Sequence, residues 1–161
     1  MLTIRDAVPE DFTEISVLLV SAFDQTTESE LVRALRDNDD IAFELVAIED
    51  GEIHGHVCLS RMGTPDGWLT LAPLAVRVQN QNKGIGRELV RFALDRARQQ
   101  SEQAVVVVGD PAYYGRLGFV FGGPAHLESP YPAQYTGLYP ISPKAASARA
   151  TLTYPDPFKG L

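Results

Sequence analysis

Leu71-Ala72-Pro73-Leu74-Ala75-Val76-Arg77-Val78-Gln79-Asn80-Gln81-Asn82-Lys83-Gly84-Ile85-Gly86-Arg87 runs from an apolar strand through a polar turn into a glycine-opened helix. The first N–H groups of a helix have no partner within it and carry partial positive charge, so an anion with several oxygens fits there. Gly84 and Gly86 let the main chain come close to such an anion, and Lys83 and Arg87 add positive charge at the same end. Two nucleotide motifs are excluded by spacing. A Walker A loop needs Gly-Lys followed by Ser or Thr, whereas here Lys83 precedes Gly84 and no hydroxyl residue follows. A dinucleotide fingerprint needs a third glycine three residues after the second, but that position is Leu89 and no acidic ribose clamp follows. A glycine-opened helix without a ligand has the same residues, so the stretch alone leaves both readings open.

Outward from this stretch the period of apolar residues assigns the remaining elements. Thr3 to Arg5 is a short first strand, and Pro9-Glu10-Asp11 opens a helix whose core face is Phe12, Ile15, Leu19, Ala22 and Phe23. Thr27-Glu28-Ser29-Glu30 has capping-box spacing before a second helix ending near Asp37 to Asp40. Glu44 to Ile48 and Glu52 to Arg61 are strands joined by a hairpin at Asp50-Gly51. Trp68 to Val78 is a mostly apolar strand that Pro73 interrupts. Gly84 to Gln100 is a helix with Ile85, Leu89, Phe92, Ala93 and Ala97 on its apolar stripe. Glu88–Arg91 and Asp95–Arg98 form supporting pairs on its outer side. Ala104 to Gly109 is a valine-rich strand of the kind covered on both faces. A short helix is expected over Tyr113 to Leu117, then an irregular proline-rich tail, then a last strand over Ala150 to Tyr154.

The 161 residues suit one domain with a sizeable core, and 45% apolar with 22% charged residues is an ordinary globular balance. A formal net charge of −7 with no long basic stripe disfavours duplex binding, so no nucleic-acid partner is expected. Cys58, the only cysteine, sits in an apolar alternating stretch and reads as a small core thiol. No histidine or cysteine cluster suggests a metal. The N-terminus lacks a signal peptide's apolar run, and Val17–Val20 and Ala104–Val108 are too short to span a bilayer. A soluble cytoplasmic protein with no membrane partner is the default expectation.

Gln81-x-x-Gly84-x-Gly86 after a strand ending Leu74-Ala75-Val76 resembles the acetyl-CoA signature of the GNAT acetyltransferase superfamily. Tyr114-Gly115-Arg116-Leu117-Gly118-Phe119 resembles that superfamily's second signature, Tyr-x-x-x-Gly-Phe. Leu71-Ala72-Pro73-Leu74-Ala75-Val76, Gly109-Asp110-Pro111 and Tyr113-Tyr114 are similar to its YhbS-like branch. The resemblance extends from Ile4-Arg5 through Phe119, and the tail matches only loosely. It implies one mixed α/β domain over 1–161: a central, mostly antiparallel sheet with splayed fourth and fifth strands, flanked by helices. It also implies acetyl-CoA as co-substrate, without a metal, and transfer of acetyl directly to an amine. The pantetheine arm would lie in the splay along Leu74, Ala75 and Val76, and the pyrophosphate on the amides of Gln81, Asn82, Lys83, Gly84, Ile85, Gly86 and Arg87. A homodimer is implied by the same analogy. Asp110 stands where the family often has Asn, and a turn cap is the alternative role for it.

In that reading Tyr114 is the acid that protonates the departing thiolate. Its reference pKa of about 10 exceeds a thiol's, about 8.5, so it holds its proton at neutral pH. A packed tyrosine beside Phe119 is the plain alternative, and Tyr113 reads as packing. The strand offers no carboxylate as general base, since Thr70, Leu71, Ala72, Leu74 and Ala75 carry none. Glu28, Glu30, His54, His56 or a water wire remain as candidates, with His56 favoured as a hydrogen-bonded core histidine. His126, Tyr131, Tyr135 and Tyr139 either line an acceptor pocket or pack at the surface. The acceptor, a small-molecule, peptide or protein amine, is not written in the sequence. A non-catalytic acyl-CoA-binding module and a generic phosphate-binding regulator are the competing readings.

Overall fold

Stretches with a period of two and stretches with a helical period separate into strands and helices. The computed structural model describes residues Met1–Leu161. In chain order the elements are β1 (Thr3–Asp6), α1 (Phe12–Phe23), α2 (Thr27–Asp37), β2 (Ile41–Glu49), β3 (Glu52–Arg61), β4 (Trp68–Val76), α3 (Ile85–Gln99), β5 (Ala104–Val108), α4 (Pro111–Gly115), β6 (Val120–Phe121), β7 (His126–Glu128), β8 (Thr136–Pro140) and β9 (Arg149–Thr151). Seven strands form one sheet in the order β1-β2-β3-β4-β5-β8-β6. Every neighbouring pair is antiparallel except β4 and β5. The expected mixed α/β sheet, flanked by helices and parting between its fourth and fifth strands, is therefore the one found. No helix is long and apolar enough to cross a membrane.

Alternation along the strands loads both faces of the sheet. Val57 and Leu59 of β3 and Val105 and Val107 of β5 meet Leu89, Ala93 and Ala97 of α3. On the other face, Cys58 and Val106 meet Leu31 and Leu35 of α2, while Ile15 and Leu19 of α1 cover Val46 and Ala75. The valine run of β5 is thus covered on both sides, as its composition requires. Cys58 is fully buried, and burial pushes its thiol above the ordinary range, which makes it a packing group. Pro73 marks a break in the β3–β4 ladder: Val57 faces Leu74 and Leu59 faces Leu71, so Ala72 and Pro73 stand against Cys58 alone.

Local chemistry moved several boundaries. Thr27-Glu28-Ser29-Glu30 forms no capping box, because the helix starts at Thr27 with Thr26 as N-cap, and Ser29 Oγ donates to the Thr26 carbonyl at 3.0 Å. The strand expected to reach Val78 stops at Val76, where Gln81 Nε2 donates back to the Val76 carbonyl and folds the loop over. The short helix occupies Pro111–Gly115, not Tyr113–Leu117, because Asp110 Oδ1 accepts from Ala112 N at 3.0 Å and fixes the start. The tail holds β8, which pairs with β5 on one side and β6 on the other. Gly137 and Pro140 weaken its strand signal, and the two neighbours' ladders hold it. The last strand is Arg149–Thr151, not Ala150–Tyr154, and it pairs with β7 outside the central sheet.

One polar cluster is buried between α2, β2 and β3. Arg36 donates to both oxygens of Glu44 at 2.9 Å, and His56 Nε2 lies 2.8 Å from Glu44 Oε1. His56 is wholly buried, so it is the core histidine and not a base facing substrate. Burial pushes the Glu44 carboxyl up, but the bonds from His56 and Arg36 outweigh it and hold the group at about 2, below its ordinary 4.5. A folded-state value below the unfolded one means that the cluster stabilises above roughly pH 4.3, and that this contribution is lost as pH falls toward 2. Its size is on the order of 3 kcal/mol. Glu44→Gln should therefore lower the urea midpoint at pH 7 and flatten the acid limb of the stability curve. A Gln variant that loses as much stability between pH 5 and pH 2 as the parent chain would contradict the assignment.

Candidate active site

The parallel pair β4–β5 is short. Trp68, Leu69 and Thr70 face Ala104, Val105 and Val106, and no further pairing follows. From Leu71 to Val76, β4 has a strand on its β3 side only, while the end of β5 stays with β8. The gap leaves one row of β4 main-chain groups open. Beyond Val76 the chain crosses to α3 through Asn82, with φ of 64°, and Gly84, with φ of 84°. Gly84 is the N-cap in a left-handed conformation that a side chain would strain. The amide of Glu88 is the first to close a helical turn, onto Gly84, and no amide from Asn82 to Arg87 donates to a backbone carbonyl. These unpaired donors line a cleft of about 730 Å³.

Leu74, Val76 and every residue from Gln81 to Arg87 line this cleft. Ala75 does not, because its side chain packs on Ile15 and Leu19 beneath α1. Ile85 also sends its side chain into the core, so its main chain is what the cleft can use. Arg91, Arg116 and Tyr113 complete the wall, giving four cations with Lys83 and Arg87 and no acid. The sequence reading missed these three. Arg91 was signalled by its spacing of one turn from Arg87 on the same helix face. A Cβ at Gly86 would lie 2.9 Å from Tyr113 Oη and 3.6 Å from Val76 Cγ2, so glycine is what lets α3 close on this wall. Free amides, a cationic rim and an open strand edge together suit a polyanion that carries an extended, amide-bearing arm.

Tyr114 faces a different space. It lines a second, mostly apolar pocket of about 370 Å³, and Leu74 borders both cavities. The Tyr114 ring stands edge-on to Phe119 at 5.6 Å and to Tyr113 at 5.0 Å. Burial raises its phenol above the ordinary value, and neighbouring Tyr113 adds to the rise, so it stays protonated at neutral pH. Among the base candidates, only Glu28 lines this pocket, with Tyr131 beside it. Glu30 is exposed, His54 lies 3.9 Å from Glu49, and His126 is on β7 outside the central sheet. Tyr135 is half exposed at 48%, and Tyr139 packs on Phe119 and bonds Arg98.

Known proteins share this architecture. The acetyltransferase (GNAT) family profile matches residues 4–119. The N-acetyltransferase YhbS of Escherichia coli is 35% identical over 135 residues, 81% of each chain. Escherichia coli YjhQ, like YhbS named an uncharacterized N-acetyltransferase, is 33% identical over 132 residues, 78% of this chain and 71% of that one. A crystal structure of YhbS with CoA superposes with a TM-score of 0.89 at 30% identity, covering 98% of this chain and 91% of that one. A Brucella melitensis GNAT acetyltransferase in complex with acetyl-CoA gives 0.85 at 30% identity, covering 98% of both chains.

The placement of Tyr114 depends on Gly109, where a Cβ would meet Tyr114 Cε2 at 2.6 Å. Gly109→Ala should cost about 1–3 kcal/mol in urea unfolding as the methyl drives the ring off Phe119. Tyr114→Ala should remove most of that cost when the two are combined. A double-mutant cycle in which the two changes simply add would show that this contact does not hold the ring.

Proposed function

Because the chain belongs to the acetyltransferase (GNAT) family, we propose that it moves an acetyl group directly from acetyl-coenzyme A to a primary amine. One observation carries the reading: a cationic cleft of unpaired amides and an apolar pocket holding a protonated tyrosine meet at Leu74, where β4 has parted from β5. The pyrophosphate is assigned to the amides from Gln81 to Arg87, with Lys83, Arg87, Arg91 and Arg116 supplying charge. The pantetheine amides are assigned to the open edge of β4 at Leu74, Ala75 and Val76, by the logic of strand addition. Residues 1–161 act as one domain in this reading, supported by a sheet that takes β1 from one end of the chain and β8 from near the other.

When bound, acetyl-CoA supplies a thioester carbonyl open to attack. The amine nitrogen needs a free lone pair, so an alkylammonium with pKa about 10.4 must first lose a proton to solvent. Carbon–nitrogen bond formation and carbon–sulfur cleavage then leave one proton to move from nitrogen to sulfur. Tyr114 is the group proposed to carry it, donating its phenolic proton to the leaving thiolate and regaining one from the nitrogen. The raised Tyr114 pKa keeps the phenol protonated until the thiolate leaves. The non-catalytic alternative rested on the missing strand carboxylate, and Glu28 from α2 places a carboxylate in the pocket after all.

Gly86→Val should remove most of the calorimetric affinity for acetyl-CoA while leaving the urea midpoint close to that of the parent chain. Tyr114→Phe should keep that affinity and lower kcat by about 10²–10⁴-fold. Unchanged acetyl-CoA affinity in Gly86→Val would remove the cleft from the site, and unchanged turnover in Tyr114→Phe would remove the acid.

A further inference from the structure

The apolar pocket beside Tyr114 is built by segments far apart in the chain. Leu31 and Glu28 come from α2, Thr70 to Leu74 from β4, and Tyr131, Tyr154 and Phe158 from the tail that follows the residues matched by the family profile. Eleven of its fourteen lining residues are hydrophobic. The tail side chains form an aromatic row: Tyr131 stands edge-on to Tyr154 at 5.0 Å, and Tyr154 lies 5.6 Å from Phe158. Tyr154 is buried and lends its ring to this wall.

Glu28 is the one lining residue with a charged side chain. No Lys, Arg or His pairs with it. Gln25 Nε2 donates to both of its oxygens, at 3.0 and 3.1 Å, and holds the carboxylate in place. A cationic ligand finds a fixed counter-ion here, and an anionic one finds none. The volume of about 370 Å³ lies at the small end of ligand sites, which span about 300–1,000 Å³.

Resting on the proposed acetyl transfer, we infer that the acceptor is a small monoamine with an apolar, ring-bearing body and no carboxylate, its ammonium met by Glu28 and its ring by Tyr131, Tyr154 and Phe158. An α-carboxylate on the same skeleton would sit against Glu28 with no cation to neutralise it. A polyamine would bring a second ammonium into a lining that has no second acidic side chain to pair it. The selectivity is thus set by one acidic side chain in a mostly apolar chamber. The tail is the segment that specialises it.

The test measures thiol release from acetyl-CoA with 2-phenylethylamine, L-phenylalanine, spermidine and a tripeptide with a free N-terminus. 2-Phenylethylamine should exceed phenylalanine in kcat/KM by about tenfold or more, from like-charge repulsion against Glu28, and should lead the other two. Glu28→Gln should raise the 2-phenylethylamine KM by about tenfold or more while leaving the acetyl-CoA KM within about twofold. Glu30→Gln, on the exposed side of α2, should change neither. Phenylalanine, spermidine or the tripeptide as the better acceptor would overturn the inference. So would a silent Glu28→Gln, or acetyl-CoA binding in calorimetry with none of the four acetylated. Absence of acetyl-CoA binding altogether would instead defeat the acetyl-transfer reading and this inference with it.

Discussion

A sheet satisfies its main chain by pairing, and this one stops doing so at Thr70. Up to that residue β4 has neighbours on both sides; past it, β3 alone remains. Buried amides and carbonyls without partners are costly, so an open edge inside a fold persists only where water or a ligand completes it. The rest of the site is arranged around that edge. The bulge at Ala72 and Pro73 breaks the ladder just beyond the split, the loop after Val76 leads the chain to α3, and the left-handed Gly84 aims a row of free amides back across the gap.

Charge is distributed to suit. The whole chain carries a formal charge of −7, yet the cleft is walled by four cations and no acid. That contrast keeps a polyanion to one place on a surface that otherwise repels it. The neighbouring pocket inverts the pattern, with one acidic side chain among mostly apolar walls. Two cavities of opposite electrostatic character meet at a single leucine, Leu74, which matches a reaction joining an anionic donor to a cationic acceptor.

Much of this was legible in the sequence where a local rule and the tertiary environment agree. Periodicity located the strands and α3, because those segments bury one stripe or both faces. The loop from Gln81 to Arg87 was legible because free amides and glycines are properties of the chain itself. His56 was read as a core histidine, but its partners Arg36 and Glu44 come from other elements, and no spacing rule links them. β8 was missed for the converse reason. Gly137 and Pro140 argue against a strand, and the segment is extended because β5 and β6 hold it from both sides. A Cβ at Gly137 would collide with the Phe121 ring at 2.5 Å, so the residue that weakens the local signal is the one the packing needs. Arg116, Tyr131 and Phe158 reach their cavities only through long-range folding, which a single sequence does not encode as a pattern.

Tyr113 and Tyr114 show how finely the site depends on a short helix. Successive residues on a helix point about 100° apart, so two adjacent tyrosines cannot share a wall. Asp110 fixes where α4 begins, and with it which tyrosine faces which cavity. Tyr113 packs against the glycine turn of α3, and Tyr114 lies over Gly109 toward the apolar pocket. A helix starting one residue later would rotate both side chains away from their cavities. The aspartate that departs from the family's usual asparagine thus keeps a structural role, because a carboxylate accepts the Ala112 amide as an asparagine carbonyl would. The identity of the cap is free to vary where its geometry is not.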